Sequence, residues 1–71
     1  MERQRIDSTS LKSAGYDPST HTLEIEFHDG DVYVYFNVAP VVYRDLLRAP
    51  SAGQYFAFFI KTTYRCRKLA R

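Results

Sequence analysis

The chain has 71 residues and a formal net charge of +2, which allows one domain with a modest core. Its one cysteine, Cys66, excludes an internal disulfide, and Cys66, His21 and His28 lack the spacing of a zinc site, so no metal and no cofactor is expected. A composition of 45% hydrophobic and 15% aromatic residues excludes a disordered chain.

Residues 1–8 are polar and are expected to be a flexible lead-in, with no apolar run of the kind a signal peptide carries. No stretch is apolar and long enough to cross a bilayer, so no membrane partner is expected and the setting reads as soluble, reducing and cytoplasmic. Residues 9–16 read as a first strand, although Ser10, Lys12 and Ser13 weaken the pattern. Asp17-Pro18-Ser19-Thr20 is a turn, with Pro18 where its fixed φ fits and Asp17 able to bond the backbone ahead of it. Residues 22–28 and 31–38 then form a hairpin around Asp29-Gly30, a pair that tolerates the positive φ of a two-residue turn. That turn pairs Phe27 with Val32, Glu26 with Tyr33, Ile25 with Val34 and Glu24 with Tyr35. Leu23, Ile25, Phe27, Val32, Val34 and Phe36 would share the core face, leaving Glu24, Glu26, Tyr33 and Tyr35 on the open face. A slip of one residue would exchange the two faces of one strand.

At Ala39-Pro40 the apolar period changes. Pro40 suits a first helical turn, Tyr43, Leu46 and Leu47 follow at helical spacing, and Pro50 stops the helix. Ser51-Ala52-Gly53-Gln54 is a capping box opening a second helix, in which Tyr55, Phe56, Phe59 and Ile60 share a stripe. Phe58 falls off that stripe, at the edge of the apolar face or exposed to a partner. Tyr64 to Leu69 fits either a fraying helix end or a short C-terminal edge strand. The expected fold is therefore α+β: a three-stranded antiparallel meander covered on one face by two short helices.

Several residues carry a family resemblance. Gly15-Tyr16-Asp17, Leu23-Glu24-Ile25-Glu26-Phe27, Tyr33-Val34-Tyr35, Pro40, Leu46-Leu47, Ser51-x-Gly53, Tyr55-Phe56 and Tyr64 resemble the KTSC domain over residues 9–69, leaving 70–71 as a tail. The family is a bacterial module of about sixty residues, small for a domain, named for its place at the C-terminus of some lysyl-tRNA synthetases. The resemblance implies a stand-alone copy and no established activity. RNA binding is implied only through the synthetase context.

The charge is unevenly placed: residues 1–60 hold five Lys/Arg against eight Asp/Glu, whereas residues 61–71 hold five and none. Lys61, Arg65, Arg67, Lys68 and Arg71 could hold RNA phosphates while Tyr33 and Tyr35 stack bases on the open face. Glu24 and Glu26 beside them would repel phosphate, and Tyr–Glu pairs could equally just stabilise the sheet. A second reading joins Tyr33, Tyr35, Phe58 and Tyr64 into an apolar patch for a host protein or a homodimer. Amides at Ser51-Ala52-Gly53 could attract an anion, or serve only as a cap with Gly53 needed for packing. Cys66 between two arginines has no acid–base partner in the sequence, so an enzyme is not expected.

Overall fold

The protein is described here as a computed structural model, covering residues 2–70. Its five strands form one antiparallel sheet in chain order: β1 (Arg3–Arg5), β2 (Leu11–Asp17), β3 (Thr22–Phe27), β4 (Val32–Tyr35) and β5 (Cys66–Ala70). Between β4 and β5 the chain crosses one sheet face as α1 (Pro40–Arg48) and α2 (Ala52–Tyr55), the latter running on into a π-helical turn, Phe56–Ile60. The fold is α+β as expected, with two edge strands added to the expected three. Among the described residues no helix is long and apolar enough to cross a membrane.

Both edges correct the sequence reading. The lead-in expected to be frayed pairs with β2, Arg3 opposite Gly15 and Arg5 opposite Ser13. Arg3 reaches across β2 to Glu24, Nη1 to Oε1 at 2.7 Å. Three residues without an apolar member show no alternation, which is why the pattern hid this strand. At the other end the strand alternative holds: Tyr35 faces Cys66, Val34 faces Arg67 and Tyr33 faces Lys68.

The hairpin register differs by one residue from the expected one. The loop contains His28, Asp29 and Gly30, with the Phe27 N–H donating to the Asp31 carbonyl at 2.9 Å and the Gly30 N–H to the Phe27 carbonyl at 3.0 Å. Gly30 sits at φ 97°, the left-handed position that closes a three-residue loop. The third loop residue makes Ile25 face Tyr33 and Leu23 face Tyr35. Tyr33 and Tyr35 thereby join Leu23, Ile25 and Phe27 on the helix-covered face, and Val32 and Val34 move to the opposite one. The two valines still stay only 9% exposed, flanked there by Glu24, Glu26 and Arg67 across the ladders.

The core lies between sheet and helices, with Leu11, Leu23, Ile25, Val38, Leu46 and Ile60 fully buried. Pro40 opens α1, and the extended Ala49 ahead of Pro50 ends it. The Tyr43 ring of α1 stacks on Tyr16 of β2 at 5.4 Å, and Tyr16 donates its hydroxyl proton to the Val38 carbonyl. Ser51 caps α2, its Oγ accepting the Gln54 N–H at 3.2 Å. Beyond Tyr55 the bonding changes, and the Lys61 N–H donates to the Phe56 carbonyl five residues back. The wider turn keeps Ala52, Phe56 and Ile60 inward but expels Phe59, which the expected stripe had placed in the core.

Candidate nucleic-acid interface

The tyrosine platform expected on the open sheet face does not exist. Tyr35 is 4% exposed, and its ring meets Phe56 edge-on at 5.6 Å beneath the π-helical turn. Burial pushes its hydroxyl well above the ordinary tyrosine range, with Cys66 and Tyr33 as lesser causes. Tyr33 is half-buried and packs edge-on against Phe27 at 5.9 Å. The expected Tyr33–Tyr35–Phe58–Tyr64 patch is dispersed as well. Tyr35 is sealed, Tyr64 is half-buried in the turn before β5, and Phe58 stands 72% exposed on the helical layer.

The basic segment fares differently. Extended pairing with β4 lays Arg65, Arg67 and Lys68 along one sheet edge, all exposed, and the Phe36 N–H donates to the Arg65 carbonyl to anchor the start. Alternation sends Arg67 to one face and Lys68 to the other. Lys68 Nζ lies 3.5 Å from Asp31 Oδ1 on the helix-covered side. Lys61 is exposed at the start of the connecting turn. Arg71 lies outside the described residues. Cys66 is exposed on the same strand.

The acidic side chains that seemed to oppose a polyanion are engaged elsewhere. Glu24 pairs with Arg3, while Glu26 accepts the Ser13 hydroxyl at 2.8 Å and lies 3.9 Å from Lys12. The Ser13 bond is the main reason that the Glu26 carboxyl sits below its ordinary range, Lys12 and Arg3 adding to it. The open sheet face is thus charge-balanced near β1 to β3, and the basic character gathers at β5.

A cleft of about 620 Å³ separates residues 7–10 from the start of α2, lined by hydroxyls of Ser8, Thr9, Ser10 and Ser51. A Cβ on Gly53 would come 2.9 Å from Ser10 Oγ and 3.4 Å from Ser8 Oγ. Close packing accounts for this glycine, and Ser51 acts as a cap. The features that sequence reasoning missed are Arg3 and Arg5, whose alternation was the available signal, and Phe59, for which the sequence carries none.

Comparison with known proteins places these features in a lineage. Residues 7–64 match the family model described as the KTSC domain. The chain is 44% identical over 64 residues to a lysine–tRNA ligase of Nostoc punctiforme, spanning 90% of this chain and 11% of that protein. It is 46% identical over 56 residues to an uncharacterized protein of Stutzerimonas stutzeri, covering 79% of each. The crystal structure of a KTSC domain protein from Yersinia pestis superposes with a TM-score of 0.91 at 36% identity, over 96% of both chains.

Proposed function

The chain belongs to the KTSC domain family, and from that premise we propose that it is a non-catalytic RNA-binding module that grips phosphates along the β5 edge. The observation that carries this reading is the exposed strand bearing Arg65, Arg67 and Lys68, beside Lys61, with the nearby carboxylates Glu24 and Glu26 occupied by other partners. Related sequence within a lysine–tRNA ligase supports RNA as the polyanion, though that ligase's activity stays its own. Phosphates would meet a linear row of cations whose spacing is set by the strand, and binding would proceed by counterion release. Tyr33, at the shielded side of the same edge, contributes structure more than contact.

The test is titration of a 15-mer of uridylate and of bulk tRNA across a salt series starting at about 50 mM. Three phosphate contacts on a single strand give a slope of log K against log salt of about −2, and Arg67→Ala should reduce its magnitude by about 0.7. An absence of binding to either RNA at the lowest salt would overturn the reading.

A further inference from the structure

The π-helical turn exposes what an α-helix would bury. Continued with α-helical spacing, residues 52–60 would carry Phe59 on the stripe of Phe56 and Ile60. The wider turn instead leaves Phe58 and Phe59 72% and 58% exposed, side by side on the outer face of the helical layer. Such turns are rare and concentrate at functional sites. Two large exposed rings contribute little to the core and work against solubility, which points to a ligand.

The surroundings say which kind. Tyr55 backs Phe59 with ring centroids 4.9 Å apart and a 41° tilt, so the Phe59 ring is held in place. Arg44 and Asp45 of α1, together with Tyr64, lie near enough to Tyr55 to act on its hydroxyl. Arg48 follows Arg44 one helical turn on, and Lys61 comes two residues after Phe59. Against these three cations stands Asp45, already paired with Arg44 at 3.2 Å. The rim is therefore net basic and suits an anionic ligand. A second copy of the chain would bring like charges face to face. Tyr64 next to Tyr55 also carries the aromatic surface towards Arg65, where the basic strand begins.

We propose that Phe58 and Phe59 form a stacking platform for unpaired bases of single-stranded RNA, with Arg44, Arg48 and Lys61 holding the phosphates between them. This rests on the RNA-binding reading above and extends its contact from the β5 edge onto the helical layer. Every base has a face to stack, so the platform tolerates sequence but requires unpaired nucleotides.

The chain has no tryptophan, so Phe58→Trp installs a unique fluorophore that keeps a stacking face. Addition of the uridylate 15-mer should quench it, and a duplex of equal length should not. Phe58→Ala and Phe59→Ala should each weaken binding of the 15-mer about tenfold, within the range for loss of one stacked base. Thermal melts of each variant verify that the fold is retained. If Arg67→Ala weakens binding while both alanine variants bind like the parent, the platform is wrong and the β5 reading stands. If the parent binds no RNA, both fall. Concentration-dependent self-association abolished by Phe58→Ala would make this face an interface between copies and overturn the proposal.

Discussion

The Phe27–Tyr33–Tyr35–Phe56 cluster and the Phe58–Phe59 pair are built from the same kinds of side chain and meet opposite fates. In the cluster, rings meet edge-on at 5.5 to 5.9 Å beneath the helices, an arrangement worth about 0.5–1.5 kcal/mol per pair beyond burial alone. In the pair, only Phe59 has a ring partner recorded, Tyr55, and both rings face water. Hydrophobicity does not separate the two groups. Backbone geometry does: one loop residue turns the tyrosines inward, and one widened helical turn pushes the phenylalanines outward. An aromatic residue's role here follows from register and turn width, which residue type does not report.

The severest test of that contrast is Tyr35→Ala. Removing a buried ring from a packed core costs about 3–5 kcal/mol, a large part of the stability of a domain this small. Urea denaturation should show the variant largely unfolded or with a sharply lowered midpoint. A midpoint within experimental scatter of the parent would put the ring in solvent and restore the tyrosine platform.

What was legible in the sequence, and what was not, divides along the same line. Pro40, Pro50 and the Ser51 cap act on the backbone beside them, so both helix starts and the first helix's end could be read from single residues. Gly30 marked the hairpin correctly, yet a positive φ at glycine suits a three-residue loop as well as a two-residue one. Choosing between them needs tertiary packing. Val32 and Val34 pack on either face without penalty, so alternation alone could not exclude the wrong one. The π-helical turn has no local signature, and β1 is too short to show a period. The basic residues of β5 were legible because charge needs no register to be noticed.

Alkaline pH sharpens the comparison through the buried hydroxyl. Burial raises the Tyr35 pKa above its ordinary value near 10. The fold therefore favours the neutral phenol, and its contribution is complete below pH about 10 and is lost as pH rises beyond that. Tyr43 shifts the same way for the same reason. Tyr35→Phe keeps the ring and removes the proton, so its denaturation midpoint should fall less steeply than the parent's between about pH 9.5 and 11.5. Equal slopes would mean that the hydroxyl reaches water. Gly30→Ala tests the loop itself: a side chain at φ 97° costs about 1–2 kcal/mol. Cross-strand contacts between Ile25 and Tyr33 should survive in NMR spectra, because moving the register would expose the tyrosines.

The smallest effects belong to the exposed pair. Phe59→Ala loses only its contact with Tyr55, expected to cost about 0.5–1 kcal/mol. Phe58→Ala should change stability by no more than about 0.5 kcal/mol, as for other surface substitutions away from packing features. Both should be read by urea denaturation alongside Tyr35→Ala. A loss at Phe58 approaching that at Tyr35 would show that the ring supports the fold, and its exposure would no longer call for a ligand. A neutral result leaves a large apolar side chain that the domain keeps without gaining stability from it, and such a residue is explained by what it touches outside the chain.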